Sequence, residues 1–402
     1  MRFGVFFAAQ VPKPWDGQSE SRRLNEALEQ VELADRLGFD YAWAIEHHFL
    51  EEYSHSGSPE MFLAAASQRT SRIRLGHGIV QMPPGINHPV RVAERIGMLD
   101  LLSGGRAEYG SGESTGEAEL GGFGVDPATK RDQWHEATTQ VVRMMTSEPF
   151  PGVEGRFVSV PERNVIPKPL QKPHPPLWMA APRLETTLLA AENGMGALCF
   201  SLSVEPDEAA HLVSEYRARI LSGQCTPLGQ AVNPEVAMVL PMLCHADEQV
   251  AIERGLENAQ FYGWSLYYYL RPNHPHGSSR LWETFQQERK TGFQSEVVTV
   301  PGAPLRASFD KNSVFAIRGA IGSIEQVREL ARRYEQAGCD QLIFITQPGH
   351  TKHEHTCESL ELFAQQIMPE FAERDQQARQ HKHDQLAAAI TAALQHTTTT
   401  TV

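Results

Sequence analysis

The chain lacks any run long and apolar enough to cross a bilayer. Its opening apolar stretch, 3–8, is closed by Gln10 and Pro12. That is too short for a membrane helix or a secretory leader, and it reads as the first core strand of a cytoplasmic protein. Cysteine is scarce. Cys199, Cys225, Cys244, Cys339 and Cys357 are scattered, odd in number and never spaced CxxC, which leaves no disulfide framework and no cysteine zinc site. Positive charge is in deficit: 36 Lys and Arg stand against 49 Asp and Glu, and the net charge of −13 argues against nucleic acid or an anionic membrane as a partner. An anionic ligand must then be held by backbone amides or a few chosen arginines. A Walker A loop, a dinucleotide fingerprint in its strand–helix setting and the HExxH pair are all missing. His350, His353 and His355 read as a polar loop, and no metal site is expected.

What is present is a regular alternation of short apolar runs and longer amphipathic ones, the pattern of parallel β/α units. Strands are expected near 3–8, 41–45, 73–81, 106–111, 177–181, 197–201, 235–242 and 341–346, with helices at 89–102, 128–146, 184–193, 205–220 and 247–262. Leu24, Leu28 and Val31 mark a further helix ended by Gly38, with Asp40 leading into the next strand. The same grammar returns late in the chain: Ser323-Ile324-Glu325-Gln326 reads as a capping box, Gly338 ends the helix and Asp340 opens the last strand. Eight such units favour closure into a (β/α)₈ barrel over an open sheet, in one domain of residues 1–372. Residues 266–320, with Tyr267, Tyr268 and Tyr269, fit no simple unit and read as an insertion before the last β/α unit, in the place of a lid. Residues 373–402, rich in Gln, His, Ala and terminal Thr, read as a low-complexity tail containing an exposed helix.

Parallel barrels gather their chemistry at the C-terminal ends of the strands, and four unusual segments fall there. Glu46-His47-His48-Phe49 places a carboxylate and two imidazoles after a buried strand. Alternation lets one imidazole enter a pocket as a proton donor or acceptor while packing holds the other. Gly76-His77-Gly78 interrupts a strand with glycine, a sign of close backbone approach to a ligand or of a bulge. Gly110-Ser111-Gly112-Glu113-Ser114-Thr115-Gly116 offers amides and hydroxyls, and Arg183 with Thr186 opens a helix; both suit a phosphate, although surface loops and capped helices look the same.

Together with Asn87-His88-Pro89, Leu99-Asp100, Ser103-Gly104-Gly105-Arg106, Gly122-Phe123-Gly124 and Pro173-His174-Pro175-Pro176-Leu177-Trp178, these stretches resemble the bacterial luciferase-like family of flavin-dependent monooxygenases. The resemblance implies a barrel with an insertion before its last unit. It implies FMN, used as FMNH2 from a separate NAD(P)H:flavin reductase, and oxidation of a small organic substrate by O2 through a C4a-peroxyflavin. By position, His47 becomes the acid/base group, Gly78 the backbone passing the flavin ring, and Gly112, Ser114, Thr115, Arg183 and Thr186 the phosphate loops. Glu46, His48 and Glu113 fall beside the substrate or behind these groups. A homodimer is also implied.

The departures are specific. Where bacterial luciferase itself has a reactive cysteine and a phosphate-binding arginine, this chain has Gly112 and Glu113, and the luciferase glutamate and serine of the fifth strand are Pro182 and Arg183. A carboxylate repels a phosphate, so either Arg183 supplies the charge or Glu113 binds a substrate hydroxyl or amine, and light emission does not follow. A deazaflavin (F420)-dependent hydride transferase and a non-catalytic flavin-binding subunit are the alternatives.

Overall fold

The computed structural model describes residues 1–114, 116–200, 202–271, 277–292, 302–308 and 316–400. Eight parallel strands form the frame: β1 (Arg2–Phe7), β2 (Tyr41–Ala44), β3 (Arg74–His77), β4 (Ala107–Gly112), β5 (Leu177–Ala180), β6 (Gly196–Cys199), β7 (Val236–His245) and β8 (Gln341–Ile345). They pair in chain order, and β8 pairs with β1, which closes the barrel. The strands are covered by helices outside and by side chains inside. This is why they appear in the sequence as apolar runs without polar alternation.

Helix Ser19–Leu37 stops at Gly38, whose φ of 94° lets its N–H reach back to Ala34 O and Asp35 O. At the start of helix Ile324–Gln336, the Ser323 hydroxyl accepts from Gln326 N–H and the Gln326 carboxamide accepts from Ser323 N–H, the expected capping box. No helix among the described residues is long and apolar enough to cross a membrane.

Three expectations need correction. The strand expected over 73–81 is two pieces, since pairing stops after His77 and resumes at Val80–Gln81 against Ser111 and Gly112 of β4. The segment between them carries a cis peptide between Gly78 and Ile79. The region 266–320 is not wholly irregular: helix Glu248–Leu270 runs into it, helix Leu281–Gly292 follows, and strand Ala320–Ser323 adds to β7 outside the barrel. Residues 373–400 fall in helix Met368–Thr400, whose inner face is docked rather than exposed; 401–402 lie outside the described residues. Phe371 packs edge-on against Phe3 at 5.2 Å, Leu386 is buried, and the buried Lys382 ammonium lies 2.5 Å from Asp340 and 4.0 Å from Glu235. Each of the two apolar side chains contributes roughly 2 kcal/mol by leaving water.

The interior is layered. At the N-terminal end Arg2 bonds Tyr41 and Glu235, and Arg74 bonds Glu108. Burial pushes Glu108 up to about 7, against the opposing charge of Arg74. Above lie the fully buried rings of Tyr41, Trp43 and Trp178, with Trp43 edge-on to Trp178 at 5.4 Å. Among the described residues these layers fill the N-terminal end, and the mouth lies above them at the C-terminal ends of the strands.

Candidate functional site

His47 and His48 leave β2 at the mouth, and each ring is held by a different buried carboxylate. His47 Nδ1 lies 3.0 Å from Glu119 Oε1, and His48 Nε2 lies 2.9 Å from Glu46 Oε1. Glu119 comes from the short helix Glu117–Gly122 and also accepts from His48 N–H (2.9 Å) and Gln81 Nε2. Glu46 accepts from Gln81 N–H (3.0 Å) and Asn87 Nδ2 (2.6 Å). Burial raises the Glu119 pKa, but His47, Gln81 and the His48 amide outweigh it and leave the carboxyl below its ordinary value. Burial lowers the His48 pKa, and the hydrogen bond and charge of Glu46 more than reverse that.

A carboxylate only accepts hydrogen bonds, so the proton of the His47–Glu119 contact sits on Nδ1. The free lone pair of the neutral ring is then on Nε2, which has no hydrogen bond among the described residues. Glu119 thus fixes the tautomer of the neutral His47 ring and leaves Nε2 as its acceptor nitrogen. Beside it the Tyr53 ring stands at 5.2 Å, and the Tyr53 hydroxyl donates to that of Tyr262 at 3.1 Å.

Below the mouth, Phe6, Trp43, Gly78, Ile79, Ala180, Leu198, Phe200, Val239 and Ile343 line a small apolar cavity of about 20 Å³. Gly78 is required by packing: a Cβ there would stand 2.9 Å from the Phe6 ring. At Gly112 a Cβ would stand 2.7 Å from Ile79 Cδ1, so the end of that side chain would have to move. Helix Glu248–Leu270 roofs the mouth. Tyr262 faces Tyr53, Ser265 accepts from Gln10, and Tyr269 OH donates to Glu51 O. The buried Glu52 carboxylate accepts from the N–H groups of Leu281 and Trp282, which fastens the first turn of helix Leu281–Gly292. Of the insertion tyrosines, Tyr267 is exposed, whereas Tyr262, further upstream, meets Tyr53 beside His47.

The third element is a polar cradle between β4 and β5. Ser114, at φ 62°, is buried with its hydroxyl unpartnered among the described residues, and its carbonyl accepts from Lys130 Nζ at 2.8 Å. Lys130 lies within electrostatic reach of Glu113, Arg131 and Arg183; burial first, then the two arginines, lower its pKa. Arg131 pairs with Glu113 at 3.1 Å and also with Glu185. Glu113 is therefore neutralised from behind, so it does not oppose an anion at full charge. Arg183 precedes helix Leu184–Glu192, and the buried Thr186 hydroxyl accepts from Arg183 N–H and donates to Arg183 O. Its bonds are spent on the helix start. Thr115 lies outside the described residues.

The structure thus brings Glu46, His47 and His48 together at one rim, and Gly112, Glu113, Ser114 and Arg183 together at another, with Gly78 between. Sequence reasoning missed Glu119, Tyr53 and Lys130. Nothing marks Glu119 in its local run, because Glu117 two residues earlier looks the same; only the fold brings it to His47.

The chain matches the family model of luciferase-like monooxygenases over residues 1–341. The uncharacterized protein y4wF of Sinorhizobium fredii is 38% identical over 199 residues, half of this chain (50%) and 56% of that protein. The oxygenase component of the flavin-dependent trigonelline monooxygenase of Acinetobacter baylyi is 24% identical over 376 residues, 93% of this chain and 96% of that one. Among solved structures, monooxygenase RslO1 of Streptomyces bottropensis superposes with a TM-score of 0.72 at 24% identity, covering 92% of this chain and all (100%) of that one.

Proposed function

Because the chain belongs to the luciferase-like monooxygenase family, we propose that it is an oxygenase component, using reduced FMN from a separate NAD(P)H:flavin reductase and O2 to oxidise a small organic substrate. The observation that carries this reading is the His47–Glu119 pair just beyond the end of β2, the strand whose Trp43 lines the apolar cavity beside Gly78. The name of the trigonelline relative, a flavin-dependent oxygenase component, supports both the cofactor class and the separate reductase.

The residues fit a flavin mononucleotide. Ser114, with its unpartnered buried hydroxyl, Lys130 and Arg183 suit the phosphate, while Gly78 and the apolar walls suit a flat ring. When bound, reduced FMN supplies the two electrons with which O2 delivers one oxygen atom to the substrate. The protein's own part is to hold, to exclude water and to move one proton. Helix Glu248–Leu270 and the aromatic wall keep water off the cavity, and His47 Nε2 takes up or returns the proton while Glu119 fixes the ring.

Anaerobic titration with reduced FMN, followed by mixing with oxygenated buffer, tests the reading. Wild type is expected to bind reduced FMN and to change its reoxidation rate relative to free flavin, and His47→Ala to bind it while altering that rate by about 10²-fold. Absence of binding, together with reduction of F420 by a substrate without O2, would replace the reading with hydride transfer. The phosphate cradle has its own test. Lys130→Met should weaken FMN binding about tenfold, the loss of one charge-assisted hydrogen bond. Riboflavin, which has no phosphate, should bind both proteins alike in the same fluorescence titration.

A further inference from the structure

Two carboxamides stand at the mouth where β1 and β8 end, and only one of them is satisfied. Gln10 Nε2 donates to Glu52 O and Ser265 Oγ, and its Oε1 accepts from Gly349 N–H. Gln347 is 2% exposed, yet neither its Nε2 nor its Oε1 has a partner among the described residues. A buried amide left in that state forgoes its water without recompense, so it is rare without a use.

Its place gives the use. Ile343 and Ile345 of β8 belong to the apolar cluster around the cavity, and Ile343 lines the cavity itself. Side chains alternate along a strand, so Gln347 continues the inward face one level higher. In β1 and β2 the residues paired with Ile345 are Phe6 and, through it, Trp43. One level up come Ala8, Ile45 and Gly78, the ladder being carried on by Ile45 N–H to Phe7 O and Gly78 N–H to Ala44 O. Large rings thus fill the lower level, while two of the three residues at the level of Gln347, Ala8 and Gly78, are small. The indole N–H of Trp43, below, is also buried without a partner.

We propose that Gln347 is a ligand-recognition residue, its carboxamide pairing with an amide-type edge, a carbonyl oxygen beside an N–H, on a molecule seated over the cavity. The pyrimidine ring of a flavin carries such an edge, and so does a carboxamide or lactam substrate. The first source rests on the flavin reading; the second does not.

The test measures dissociation constants of FMN, N3-methyl-FMN, benzamide and acetophenone for wild type, Gln347→Met and Gln347→Leu. Methylation at N3 and the change from amide to ketone each remove the N–H while keeping the ring. If the flavin is the source, FMN binds on the order of tenfold more weakly to both variants, while N3-methyl-FMN does not distinguish them from wild type. If a substrate amide is the source, benzamide shows that loss and acetophenone does not. In either case the ligand-free variants melt at or a few degrees above wild type, because an unsatisfied buried amide has been removed. Equal binding of all four probes across the three proteins, or no binding of any of them, overturns the proposal. So does a fall in melting temperature of both variants, which would make Gln347 structural. If wild type binds no flavin, the FMN reading fails by itself, and the benzamide arm, run without flavin, still decides Gln347.

Discussion

Glu119→Leu is expected to remove both the acid–base function and several kcal/mol of stability. The carboxylate is 1% exposed and collects three donors, His47 Nδ1–H, the His48 amide and Gln81 Nε2. Leucine is close in volume but accepts nothing, so three buried donors lose their partner at about 1–3 kcal/mol each. Part of that is recovered by water or rearrangement, and a loss of about 3–5 kcal/mol is expected, the upper end of single-substitution effects. Glu119→Gln keeps the shape and one acceptor oxygen. It should melt closer to wild type yet lose about 10²-fold in turnover, because the His47 tautomer is no longer fixed.

The same carboxylate gives the site an acid limit. Its folded pKa lies below the ordinary value of 4.5, so its contribution is present above that value and is lost as pH falls through the folded one. His48 gives the opposite limit. Its folded pKa lies above the ordinary 6.5, so the stability from its pairing with Glu46 is complete below 6.5 and is lost as pH rises through the folded value. Melting temperature against pH, wild type beside Glu119→Gln, should show the difference between the two proteins shrinking on the acid side. Identical turnover and identical acid limbs would remove Glu119 from the mechanism.

The second large effect lies at the opposite end of the barrel. Lys382→Met should lower stability by about 3–5 kcal/mol, because it leaves Asp340 and Glu235 as buried charges with one cation fewer. For a chain of this size the melting temperature should fall by about 4–6 °C. Adding Asp340→Asn should recover most of the loss, since Asn keeps the side-chain acceptor for the Val236 amide and removes the unpaired charge. If Lys382→Met melts with the wild type, helix Met368–Thr400 is an appendage and not a part of the barrel.

Neither the docking of that helix nor Glu119 is legible in the sequence, for related reasons. The eight strands are legible because burial on both faces makes each an apolar run, and helix ends at Gly38 and Ser323 are legible because capping chemistry is local. The C-terminal helix offers mostly alanine, and its docking contacts are long-range, among them a lysine meeting an aspartate 42 residues earlier. Local pattern carries no such information. Glu119 meets His47 across 72 residues. By contrast His47 and Ser114 stand out, because polar or glycine-rich segments directly after buried strands are costly where they sit. Gln347 has that position too, but a lone glutamine after an apolar run looks like a solvated loop until its amide is found buried.

The ring layer of Tyr41, Trp43 and Trp178, with the ion pairs beneath it, makes the barrel a blind alley. On the flavin reading proposed above, flavin, oxygen and substrate would share the mouth as their way in, and whatever enters first decides what can follow. A large cofactor arriving after a small substrate would be turned away by it, so entry should be a queue with the flavin at its head. Excess substrate added before reduced FMN should then slow FMN capture, and the same excess added afterwards should not.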